Sequence, residues 1–121
     1  MADTDSIRAV IQTYFDCMNE SSEEKVEQAF HSSAKITGYL SKGLQEMSVS
    51  DFSDFVVAQN PPPKETDNPV IGEIVSLEIA GRTAVARVRD QYLGMTFLDT
   101  LCFLKIGEDW SIYNKLFHVE S

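Results

Sequence analysis

"IGEIVSLEIAGRTAVARVRDQYLGMTFLDTLCFLKIGEDWSIYNKLFHV", residues 71–119, decides the fold. Its apolar residues recur with a period of two, which predicts strands over about 71–80, 83–92, 96–106 and 110–119. "AGRT" and "GED" are hairpin-type connections, and Gly94 sits between "DQY" and "MTF", where the chain must reverse or bulge. Strands joined by such short turns pair antiparallel with their neighbours, so this half of the chain predicts a meander.

The preceding half changes period to 3.6. Ile7, Val10, Ile11, Tyr14, Phe15 and Met18 share one helical face, with Asp3, Thr4 and Asp5 as capping and charge-favourable residues at its start and "NESS" (19–22) as its break. Ser21 and Glu24 have capping-box spacing ahead of Val26, Ala29 and Phe30, which predicts a short second helix. "AKITGYL" (34–40) reads as a strand, and Ser48 with Asp51 repeats the box ahead of Phe52, Phe55 and Val56. The prolines of "NPPPKETDNP" (60–69) remove donors and end that third helix in an exposed loop or lid. Helices first and a meander afterwards make one α+β domain over residues 1–121.

Composition narrows the function classes. Nineteen acidic against ten basic residues give a formal charge of −9, which repels nucleic acid and anionic bilayers. Cys17 and Cys102 are too few for a disulfide scaffold and read as buried thiols. The acidic "MADTDSIRAV" lacks the basic region of a signal peptide, and no apolar run reaches the ~20 residues of a membrane span, so a cytoplasmic protein is expected. Two distant histidines and no Cys-x-x-Cys give no metal set, no cofactor is implied, and Gly-rich phosphate loops and a serine nucleophile elbow are absent.

Alternation sorts the later strands into faces. Thr100, Cys102, Leu104 and Ile106 oppose Asp99, Leu101, Phe103 and Lys105; Trp110, Ile112, Asn114, Leu116 and His118 oppose Ser111, Tyr113, Lys115 and Phe117. Both faces carry large apolar residues, yet three short helices cover only one. Leu101, Phe103, Tyr113 and Phe117 are therefore expected to meet a second copy in a homodimer, with Arg87 and Arg89 on or beside the same outer face; packing beneath the proline-rich loop in a monomer is the alternative.

The layout resembles the nuclear transport factor 2-like, or cystatin-like, cone: three N-terminal helices on a curved antiparallel sheet. "IQTYFDCMNESSEEKVEQAFHSSAKITGYL" is similar to that superfamily's opening and "GEDWSIYNKLFH" to its closing hairpin. Through "AFH", "AKITGYL", "EIVSLEIAGRTAVARVRD", "YLGMTFLDTLCFLKI" and "WSIYNKLFH" the chain most resembles the branch labelled "putative lumazine-binding". The resemblance implies an apolar pocket between helices and sheet, bordered by Tyr14, Phe30, Tyr39, Phe55, Asp90, Asn114 and His118 and taking a small apolar or aromatic ligand.

Three functions follow from it: a small-molecule binder, a SnoaL-like metal-independent isomerase, cyclase or hydratase using His118 or Asp90 for proton transfer, and a scaffold whose cone is filled by Phe15, Phe30, Phe55 and Trp110. The ketosteroid isomerase branch uses a carboxylate base with a tyrosine and a protonated acid. Tyr14 matches the tyrosine, but Gly38 stands at the base and Cys102 near the second acid, with Asp99 on the opposite face, so steroid isomerisation is not expected.

Overall fold

A computed structural model describes residues 2–121. The helices are α1 (Asp3–Glu20), α2 (Glu23–Ala29) and α3 (Val49–Val57), and the strands are β1 (Phe30–Leu40), β2 (Gly43–Ser48), β3 (Ile71–Ala80), β4 (Thr83–Tyr92), β5 (Met95–Ile106) and β6 (Asp109–Val119). The strands form one sheet in the order β2-β1-β6-β5-β4-β3. This is the cone fold: three helices packed on a curved six-stranded sheet that does not close. The sheet is not wholly antiparallel, because β1 and β6 pair parallel. β2 has no counterpart in the sequence reading; "GLQEMS" is short and lacks β-branched residues, and it becomes a strand by pairing with β1.

Local signals act where the spacing puts them, with shifts of a residue. α1 starts at Asp3 without a side-chain cap, and Ser21 in the left-handed region ends it. Ser22, rather than Ser21, caps α2 by accepting from the Lys25 amide. Ser48 and Asp51 form the full capping box of α3. Leu93 and Gly94 both have positive φ, at 53° and 79°, which closes the β4–β5 hairpin tightly.

The face of α1 that carries Ile7, Ile11, Tyr14, Phe15 and Met18 is buried against the sheet. Its first turn is pinned at one end of the sheet, where Asp3 Oδ1 accepts from Trp110 Nε1 at 3.1 Å and Lys105 Nζ at 3.0 Å. Its last turn is tied to the proline-rich loop: Asn19 Oδ1 accepts from the Val70 amide and Ser21 Oγ donates to the Gln59 carbonyl. The loop thus packs on α1, with Pro63 buried.

The face assignment of β6 needs correcting. Phe103 pairs with Ile112 but Cys102 with Asn114, so Tyr113 is an extra residue, a bulge that reverses the alternation of the strand. Trp110 and Ile112 point to the helices before it, and Lys115 and Phe117 after it. Phe117 is consequently a core residue, and the regular alternation of β5 puts Leu101 and Phe103 on the same helix-covered face; all three are at most 9% exposed within one chain and are not free to form a dimer interface. Tyr113 alone of those four faces outward. Burying each such aromatic or leucine contributes about 2 kcal/mol, enough to fix this orientation of the sheet.

Candidate functional site

Cross-strand rows on the inner face converge on a polar centre. Asp90 opposes Phe97; Val88, Asp99, Phe117 and Gly38 form the next row; Ala86, Leu101, Lys115 and Ile36 the one after. Asp99 therefore has Asp90 and Lys115 as diagonal neighbours on either side. From α1 the Tyr14 hydroxyl donates to Asp99 Oδ2 at 2.7 Å, with both residues fully buried.

Two carboxyls this close, out of water, do not both ionise. Burial first, and then the neighbouring Asp99, push Asp90 up to about 9, while Lys115 pulls in the opposite direction. Asp90 keeps its proton at neutral pH. Burial also raises the Tyr14 and Tyr92 hydroxyls and pushes the Cys17 thiol up to about 12, so each stays neutral. The Lys115 ammonium, 6% exposed, lies 4.8 Å from the ring centroid of Tyr14, 4.7 Å from Phe52 and 5.9 Å from Phe117. It forms no ion pair within 4 Å among the described residues. The Tyr92 hydroxyl likewise has no partner among the described residues, and the otherwise unpartnered Asp90 Oδ2 and Asp99 Oδ1 belong to the two carboxyls that share a proton.

This centre abuts a cavity of about 180 Å³ between α1, α3 and the sheet, with Met18, Ile36, Met47, Phe52, Phe97 and Phe117 in its apolar wall. Asp90, Tyr92, Lys115 and Gln45 are its polar lining residues, and Phe55, edge-on to Tyr92 with centroids 6.4 Å apart, and Leu93 also border it. The proline-rich loop contributes nothing to this lining.

The residues named from sequence divide sharply. Asp90 and Phe55 line the cavity. Tyr14 lies behind it as the support of Asp99, and Phe30 packs between Tyr14 and Phe52, with centroids at 5.8 and 5.5 Å. Tyr39, Asn114 and His118 point out of the other face: Tyr39 is 69% exposed, and the β6 bulge turns Asn114 and His118 away. His118 therefore cannot serve as the proton-transfer group of this cavity. Lys115, Asp99 and Tyr92 were missed. The inward phases of Asp99, from its period-two spacing with Leu101 and Phe103, and of Tyr92, from its spacing with Ala84, Ala86 and Val88, were open to reading; that of Lys115 was not.

Two comparisons with the isomerase geometry change. Asp99, not the outward-facing Cys102, is the acid beside Tyr14. At the position of that branch's base, a Cβ on Gly38 would overlap the ring and carbonyl of Phe117, so no side chain fits there. Phe15, Phe30, Phe55 and Trp110 do not meet at one centre either, since Trp110 bonds to Asp3 at one end of α1 and Phe55 sits at the cavity beside Tyr92. Among the described residues there is no cluster of metal-ligating side chains, and no helix long and apolar enough to cross a membrane.

The profile of the family described as "Putative lumazine-binding" matches residues 2–118. A nuclear transport factor 2-like protein of unknown function from Methylobacillus flagellatus is 30% identical, with 98% of this chain and 93% of that one covered and a TM-score of 0.86. A nuclear transport factor 2-like protein of unknown function from Silicibacter pomeroyi is 24% identical over 99% of this chain and 100% of that one, with a TM-score of 0.89. A cystatin-like domain from Nostoc punctiforme is 20% identical, covers 100% and 79% respectively, and has a TM-score of 0.79; likenesses as distant as the last two bear on fold alone. No curated protein matches the chain.

Proposed function

The chain belongs to the family described as "Putative lumazine-binding", and from that premise we propose that it is a homodimeric small-molecule-binding protein of the cytoplasm, with a flat ring ligand in the cavity between helices and sheet. The observation that carries the reading is a cavity whose wall is apolar while its floor holds the Tyr92 hydroxyl without a hydrogen-bond partner and Lys115 without an ion pair among the described residues. Native proteins rarely leave buried polar groups unpaired unless a ligand or water completes them. The volume suits one substituted ring, since an apolar cavity of roughly 150 Å³ holds benzene.

The dimer reading rests on the outer sheet face, which no helix covers. Val85, Leu116 and Tyr113 are 37%, 49% and 37% exposed there, with Leu98, Cys102 and Leu104 half-buried around them. A solvated face would be polar at these positions. The cytoplasmic reading is supported by Cys17 and Cys102, which are both unpaired.

A second reading, proton-transfer catalysis, is favoured by Asp90 alone: a carboxylic acid that keeps its proton near neutral pH and lines a largely apolar cavity is poised as a general acid. Native mass spectrometry of the protein purified from cells tests the first reading. A dimer retaining a reproducible ring-type compound, lost when Met95 at the cavity is replaced by Trp, supports it; a compound retained equally by Met95→Trp, or a monomer, counts against the cavity or the dimer respectively.

A further inference from the structure

The polar floor restricts what the ligand's reactive end can be, an inference that rests on the ligand-cavity reading above. We infer that the cavity takes an uncharged ring compound bearing a carbonyl oxygen, which Lys115 and Tyr92 hold from two sides, and that it discriminates against carboxylates of the same shape.

The hydrogen-bonding argument starts from donors. Lys115 presents three N–H groups and no acceptor. Its aliphatic stem and ammonium are enclosed by Tyr14, Phe52 and Phe117, and the side left open is the cavity. The Tyr92 hydroxyl, buried and without a partner, is a second donor lining the same space, whereas the one proton of Asp90 is held towards Asp99. Several donors facing one apolar volume are complemented by an acceptor.

Charge decides which acceptor. The titratable groups packed around this point are Tyr14 and Cys17 from α1, Asp90 and Tyr92 from β4, Asp99 from β5 and Lys115 from β6. Tyr14, Tyr92 and Cys17 are neutral. The two carboxyls share a proton and carry one negative charge, and Lys115 is the one cation among the described residues that are buried. The cluster is thus already balanced. A carbonyl adds an acceptor and no charge, whereas a carboxylate brings a second negative charge into an apolar site with nothing left to offset it.

Protein-observed NMR titration at pH 7 with acetophenone, benzoate and ethylbenzene tests this on the intact protein. Acetophenone is expected to bind at least tenfold tighter than either of the others, with shifts centred on Tyr92 and Lys115. Replacing Lys115 by Met, which fills the same space, is expected to bring acetophenone down to the affinity of ethylbenzene. Benzoate binding as tightly as acetophenone overturns the inference by making the floor an anion site, and ethylbenzene binding as tightly shows that the floor is not used. If none of the three binds, the ligand-cavity reading fails beneath it. The ranking of probes on the unmodified protein stands as the test even if Lys115→Met does not fold.

Discussion

Asp90→Asn should stabilise the protein, and increasingly so as the pH rises. The folded state raises Asp90 from its ordinary 3.8 to about 9, so the folded chain holds a proton that the unfolded chain has released across that whole window. Stability from a raised carboxyl is fully present below pH 4 and is lost as pH climbs towards 9, by about 1.4 kcal/mol per pH unit. At pH 7 the accumulated penalty has an upper bound of about 4 kcal/mol. Asparagine matches the shape of the protonated acid, donates an N–H towards Asp99 as the acid does, and never has to retain a proton. The variant should therefore match the wild type within about 0.5 kcal/mol at pH 4 and exceed it by about 2–4 kcal/mol at pH 7. Urea denaturation at pH 4, 5.5, 7 and 8.5 measures the difference. If Asp90 were instead ionised and paired with Lys115, the variant would be less stable at neutral pH and the difference would not grow in its favour; that result would refute the shared-proton cluster.

Tyr14→Phe removes the one donor that Asp99 Oδ2 has and leaves that fully buried oxygen unpartnered, a loss of about 2–3 kcal/mol measurable by the same denaturation at pH 7. Gly38→Ala forces a methyl group into the ring and backbone of Phe117, and a drop of about 3 kcal/mol or failure to accumulate as folded protein is expected; wild-type stability would mean that β1 and β6 do not approach as described. Leu116→Glu, in the middle of the outer face, should convert a dimer to a monomer in sedimentation velocity while leaving probe binding in the cavity unchanged. His118→Ala, on that same outer face, should likewise leave acetophenone affinity within twofold of wild type.

The fold was legible because its evidence is periodic and local. The α1 stripe from Ile7 to Met18, the Ser48–Asp51 box and the three hairpin turns each specify their element without tertiary help. β2 was not, since Leu44 and Met47 are only two apolar residues in a six-residue strand whose partner supplies its stability. The candidate site was legible in part for a different reason. Asp90 follows unbroken alternation from Ala84 to Tyr92 and falls on the correct face. Lys115 does not, because one extra residue at Tyr113 inverts everything after it, and no turn residue or glycine marks the bulge in "SIYNKLF". The same inversion moved His118 and Asn114 out of the cavity and Phe117 into it. Asp99 has the right phase, but the isomerase resemblance points to Cys102 instead; the bond of Asp99 to Tyr14 spans 85 residues and has no local signature.

A crystal of the protein soaked in bromobenzene tests the central claim most directly, because anomalous scattering locates a ring-sized apolar molecule without any assumption about polar contacts. The cavity reading predicts one bromine site inside the cone, in van der Waals contact with Met18, Ile36, Phe52 and Phe97. Bromine found only in the outer groove beside Val85, Cys102 and Tyr113, or a cone closed by its own side chains, would contradict it.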